Sequence, residues 1–198
     1  LHGWGPLLAA LQAKRSVARE MGGAVKLEKR RAAGVLNARE RIETLLDPGS
    51  FREIGTLAGN MVGEGERPTP ADAFPAGFGL IHGRSVLVGA EDFTVMGGSI
   101  GLAAADKRYR LTQLAAQERV PLLFLLEGAG HRMSNALKGH GRTPNDLQGL
   151  VDLSGLVPTV CVVLGPSAGH GALAAPLMDF AIMEDSASLF TAGPPLVE

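Results

Sequence analysis

Cysteine is almost missing from this chain: Cys161 is the only one in 198 residues. Neither a disulfide framework nor a thiolate zinc site can be assembled within it, and no metal site is expected. Cys161 itself falls inside an apolar strand pattern and reads as a buried structural thiol. An excess of either charge is lacking too. With 19 basic against 20 acidic side chains the net charge is −1, which gives no footprint for nucleic acid or an anionic membrane. No apolar run reaches the roughly 18 residues that span a bilayer, and no charged leader precedes an apolar core at the N-terminus. Together these absences point to a soluble protein of a reducing compartment, cytoplasmic or, in a eukaryote, in the mitochondrial matrix. A Gly-Lys-Ser/Thr phosphate loop and a Ser-His-Asp or Cys-His signature are also missing. Gly97-Gly98-Ser99 lacks dinucleotide-loop spacing, and Gly165-Pro-Ser167 matches a nucleophile elbow only loosely.

What the chain does contain is glycine. Its 27 glycines fall between apolar runs rather than in one low-complexity block, which predicts many tight turns between strands and helices. At 45% hydrophobic and 20% charged residues, it can bury one substantial core. We expect a helical arm over residues 1–50 and an α/β body over 51–198. The chain reads as a fragment, incomplete at its C-terminal end, because it begins without Met and closes on no regular element.

In the arm, Asn37-Ala-Arg-Glu40 fits a capping box that starts a helix with Ile42, Leu45 and Leu46 on its apolar face. The charge run of Lys26, Glu28, Lys29, Arg30 and Arg31 reads as a solvated face. In the body, apolar runs at 78–81 and 85–89 flank His82-Gly83-Arg84 as a hairpin, and 93–95 reads as a further strand. Helices are predicted over 99–119, 144–156 and 167–177, and strands over 121–126, 159–164, 180–183 and 188–191. Continuous apolar strands bracketed by helices imply a sheet covered on both faces.

Two junctions in this pattern stand out. Gly165-Pro-Ser-Ala-Gly-His-Gly-Ala172 follows one apolar strand, and Glu127-Gly128-Ala129-Gly130 follows another. Glycine-rich turns at strand ends let a ligand approach the main chain, and N–H groups without internal acceptors can hold developing negative charge. Two such loops on neighbouring strands are what an oxyanion site requires.

Ala38-Arg-Glu-Arg-Ile42 with Leu45-Leu-Asp-Pro-Gly-Ser-Phe51, Asp92-Phe-Thr-Val-Met-Gly-Gly-Ser99 with Lys107, Gly165-Pro-Ser-Ala-Gly169, Asp179-Phe180 and Gly193-Pro194 carry a resemblance. From Leu27 to Glu198, in order and with matching spacing, the sequence resembles the carboxyltransferase (beta) subunit of biotin-dependent acyl-CoA carboxylases. Only that family's N-terminal domain is covered. The resemblance implies a crotonase-like spiral of ββα units in which this domain holds acyl-CoA. Carboxybiotin would come from a biotin carboxylase and biotin carboxyl carrier partner, within a homo-oligomer, a hexamer. A carboxyl group would pass from biotin to the α or vinylogous carbon of the thioester, through an enolate held by backbone amides. The ending Gly193-Pro-Pro-Leu-Val197 is most similar to methylcrotonyl- and geranyl-type members.

Matched position by position, the resemblance assigns the amides of Ala129, Gly130, Gly169 and His170 to catalysis, with Glu127 ordering its loop. Gly97, Gly98, His131, Arg132, Lys107 and Gly171 are assigned to substrate. Lys107 and Arg132 could reach CoA phosphates or brace helix ends. His131 and His170 depart from the family, which has Ala and Gly there. Both imidazoles are expected to converge on one pocket, where they narrow it for another acyl group or act as acid and base. His140 is placed in a loop that covers the substrate. Two further readings remain open: an acyl-CoA decarboxylase or hydratase-type enzyme of the same fold working through these histidines, and an inactive assembly subunit.

Overall fold

A computed structural model describes residues 3–59, 69–134 and 144–192. His140, Gly193 and Pro194 lie outside the described residues.

The arm is three helices, α1 (Trp4–Arg19), α2 (Ala24–Ala32) and α3 (Ala38–Leu45). The capping box forms: the Asn37 side chain accepts from the N–H groups of Arg39 and Glu40, each at 3.0 Å, and the Asn37 N–H donates to Glu40 at 2.8 Å. With its start fixed, α3 turns Ile42 and Leu46 under the sheet, against Val86, Val88 and Ala90.

That sheet begins with β1 (Arg52–Ile54), β2 (Ala76–Ile81) and β3 (Arg84–Ala90), paired antiparallel. His82 and Gly83, at φ 49° and 74°, make the two-residue turn whose twist suits a hairpin, and both their N–H groups donate to Asp47, at 3.0 and 2.8 Å. β4 (Leu122–Leu126), β5 (Thr159–Val163) and β7 (Phe180–Met183) then add in parallel, giving the order β1-β2-β3-β4-β5-β7. β6 (Pro166–Ala168) and β8 (Ser188–Phe190) pair in parallel as a second, two-stranded sheet.

β4 shows why its sequence is apolar throughout. Leu122, Phe124 and Leu126 face the layer built by α4 (Leu102–Glu118) and α5 (Asp146–Asp152), whereas Leu123 and Leu125 face α3. Alternate residues therefore feed two cores, and truncating the fully buried Phe124 to Ala would cost about 3–5 kcal/mol. Cys161 on β5 is fully buried, and burial pushes its thiol up from the ordinary value, as suits a structural residue.

Three expectations are corrected. Residues 93–95 form a turn rather than a strand, because the Asp92 carboxylate accepts from the Thr94 N–H at 3.0 Å and its hydroxyl at 2.6 Å, closing the chain on itself. The stretch 167–177 is not one helix: Ser167 and Ala168 belong to β6, and Ala172–Leu177 is a 3-10 helix. Pro176 inside it has no N–H to extend an α-helical ladder. The charge run of α2 is only partly solvated, since Arg30 pairs with Glu127 at 2.7 Å and Lys26 donates to the Thr94 carbonyl at 2.7 Å. Among the described residues no helix is long and apolar enough to cross a membrane.

Candidate active site

β4 and β5 are adjacent and parallel, so the segments leaving their C-terminal ends emerge side by side. The first, Glu127 to His131, touches the second, Gly165 to Gly171, through main chain: the Ala168 N–H donates to the Gly128 carbonyl at 2.9 Å. A third segment closes on the first. Ala129 N–H donates to the Gly97 carbonyl at 3.0 Å, Ile100 N–H to the Gly130 carbonyl at 2.7 Å, and Arg132 N–H to the Ile100 carbonyl at 2.9 Å.

These bonds divide the four amides assigned to catalysis. Ala129 is satisfied by Gly97, and Gly169 donates to the Phe190 carbonyl at 2.9 Å. The N–H groups of Gly130 and His170 have no hydrogen-bond acceptor among the described residues. Of those four amides, one on each of the two touching loops is thus without an acceptor among the described residues.

Glycine is required here by contact. A Cβ at Gly98 (φ 66°) would stand 2.5 Å from the Glu127 carbonyl oxygen, so this glycine fits the 96–98 turn to the first loop. Gly97, also at positive φ, supplies the carbonyl that holds Ala129. A Cβ at Gly171 would lie 2.6 Å from the Glu91 carboxylate, and one at Gly128 would lie 2.8 Å from it.

Glu91 leads to a buried network that sequence reasoning missed. One carboxylate oxygen accepts the Glu127 N–H at 2.8 Å and the other faces Arg108 at 3.2 Å. Burial pushes the Glu91 carboxyl above its ordinary range, against the pull of Arg108. Arg108 is fully buried, with its guanidinium 4.7 Å from the Phe124 ring centre and 5.4 Å from that of Phe74. Its Nε donates to Asp146 at 2.7 Å, and Asp146 turns its other oxygen to His170 Nε2 at 2.5 Å. Burial alone would raise the Asp146 carboxyl, but the His170 hydrogen bond and the Arg108 charge outweigh it and hold the group at about 2. His170 meets His131 edge to face, with ring centres 4.3 Å apart and planes at 84°. The imidazoles converge at the junction of the two loops.

Lys107 and Arg132 are turned inward. Lys107 places its ammonium on the carbonyls of Ala71 and Phe74, and burial lowers its pKa to about 8. Arg132 donates to Asp72 at 2.6 Å and to the Ser99 hydroxyl and carbonyl at 3.2 and 2.8 Å. Bracing, rather than phosphate contact, is what these bonds accomplish. An open cation stands elsewhere: a cleft of about 510 Å³ beside the first loop is lined by Lys26, Lys29 and Arg30 with Phe93, Gly97 and Glu127, and Lys29 is exposed. The Glu127 carboxylate accepts from Arg30 of α2 at 2.7 and 3.0 Å and from Arg41 of α3, so the arm is tied to the first residue of the loop.

The carboxyl transferase domain family matches residues 29–198. A propionyl-CoA carboxylase beta chain of Cereibacter sphaeroides is 35% identical over 97% of this chain and 38% of its own length. The crystal structure of the transcarboxylase 12S hexamer, with methylmalonyl-coenzyme A and methylmalonic acid bound, superposes with a TM-score of 0.86 at 33% identity, covering 100% of this chain and 39% of that one. A Pseudomonas malonate decarboxylase hetero-tetramer in complex with malonate superposes at 0.70 with 29% identity, covering 82% of this chain and 63% of that one. The chain spans little more than a third of the length of the curated relatives it matches. Its mixed sheet, with loops converging at the ends of β4 and β5, is the crotonase-like fold of these carboxyltransferases, and the chain belongs to the carboxyl transferase domain family.

Proposed function

We propose that this chain is the acyl-CoA-binding part of the carboxyltransferase of a biotin-dependent acyl-CoA carboxylase, with the body at 51–198 holding the thioester. The observation that carries the reading is the pair of unsatisfied N–H groups at Gly130 and His170, on loops in main-chain contact. A thioester oxygen that accepts from both would gain two donors as it becomes an enolate oxygen. Lys29, at the cleft beside Gly97, offers a cation to the CoA phosphates. Carboxybiotin, carried by a partner, supplies the carboxyl group. Partners of this reading are a biotin carboxylase with its carrier protein and further copies of the chain in a hexamer.

The test is carboxylation of propionyl- and 3-methylcrotonyl-CoA by the full chain in its native assembly, with and without the carboxylated carrier. Product that depends on the carrier is expected. Failure of every acyl-CoA to bind overturns the reading. The histidine pair and the likeness to malonate decarboxylase favour a second reading, an acyl-CoA decarboxylase, which would release CO2 from a malonyl thioester with no biotin partner present.

A further inference from the structure

We propose that Asp146 and His170 form a carboxylate–imidazole pair that removes the proton from the carbon next to the thioester, giving this chain a base of its own beside the donor loops. The proposal rests on the acyl-CoA reading above. Asp146 is buried, with 2% of its side chain exposed, and its two oxygens are fixed by Arg108 Nε at 2.7 Å and His170 Nε2 at 2.5 Å. An ionised carboxylate can only accept hydrogen bonds, so the hydrogen of this contact belongs to His170 Nε2. In the neutral ring the lone pair is then on Nδ1. That nitrogen has no hydrogen-bond partner among the described residues, and 22% of the His170 side chain is exposed. His131, perpendicular at 4.3 Å, packs against the same ring and limits its rotation.

His170 therefore brings two functions to one place: its N–H faces the developing oxyanion and its ring accepts the proton. The C–H bond breaks, its electron pair enters the enolate, and a new N–H bond forms at Nδ1. Asp146 stays ionised opposite the imidazolium, and return of the proton to carbon reverses the step. Asp146 acts through His170 as a positioning residue. Arg108 and Glu91 extend the chain of contacts beneath the loops and hold Asp146 in register.

The test uses the full chain in its native assembly, incubated with acetyl- or propionyl-CoA in D2O without bicarbonate or carrier protein. Loss of the α-proton signal by NMR is expected for the wild type. His170→Gly keeps a backbone amide but removes the ring, so exchange should fall at least 100-fold. Asp146→Asn should lower exchange at least tenfold. A second readout needs no variant: 15N imidazole shifts of the free wild type should report hydrogen on Nε2 of His170. Hydrogen on Nδ1 instead, undiminished exchange in His170→Gly, or binding without exchange by the wild type overturns the proposal and leaves the acyl-CoA reading standing. Absence of thioester binding overturns both.

Discussion

Gly130 and Ala168 meet main chain to main chain: a Cβ added at Gly130 would stand 2.7 Å from the Ala168 carbonyl oxygen. Gly130 also sits at φ 77°, so a side chain there faces both steric overlap and an unfavourable backbone. Gly130→Ala is expected to cost on the order of 3 kcal/mol and to part the two loops. Gly155→Ala is the control: it shares the positive φ of 72° but has open space around it, so about 1 kcal/mol should be lost. Urea unfolding checks the difference, and acyl-CoA affinity should fall only in the Gly130 variant.

Removing Glu127 leaves two arginines without their acid. Arg41 is buried, with 8% of its side chain exposed, and Arg30 is at 13%. Glu127→Ala should therefore destabilise by about 3–5 kcal/mol, the usual penalty for stranding a buried charge. Arg30→Ala should cost about 1 kcal/mol, because Arg41 still neutralises the carboxylate. Equilibrium unfolding of both variants, compared with Arg41→Ala, ranks the two ties.

Asp146 gives the stability an acid limb. Its carboxyl is held at about 2, by His170 and Arg108 against the opposing effect of burial, whereas an unfolded aspartate titrates near ~3.9. As pH falls, the unfolded chain takes up this proton first. The contribution, on the order of 2 kcal/mol, is complete above about pH 4 and disappears as pH drops through 2. Asp146→Asn should show a shallower loss of stability over that interval than the wild type, measured by denaturant midpoints at successive pH values.

Lys107 gives a slope of the same sign at the alkaline end. Burial lowers its ammonium to about 8, with Asp72 and Glu53 opposing, from an ordinary lysine value near ~10.4. Between those values the unfolded chain binds the extra proton, so stability rises with pH from about 8 to about 10, by an amount on the order of 3 kcal/mol. Lys107→Met should abolish that rise. Paired melts at pH 7.5 and 10 read it directly.

The strands at 121–126 and 159–164 were legible because a sheet covered on both faces demands unbroken apolar runs, and the hairpin because His82-Gly83 accepts the positive φ that its turn requires. The capping box was legible because it is closed between residues three apart. Arg108 was not, although a signal was present: it lies on the stripe Ala104, Arg108, Leu111, Ala115, the buried face of α4. A charge on an apolar stripe calls for a partner, but Glu91 and Asp146 stand on other segments, and nothing local to α4 names them. Strand 93–95 failed for a related reason: its β-prone residues were overruled by one aspartate folding back on Thr94. Ala129 and Gly169 were named as donors because a glycine-rich loop marks where amides gather, and only the fold shows which of them already have an acceptor.

The double grip of Arg30 and Arg41 on Glu127 has a mechanical consequence. α2 and α3 are levers whose short arm is the first donor loop, so whatever pulls α2 outward slackens the position of the Gly130 N–H three residues further on. A displacement of either helix would thus be felt in the loop that carries Gly130, because the tie ends on the residue that opens that loop.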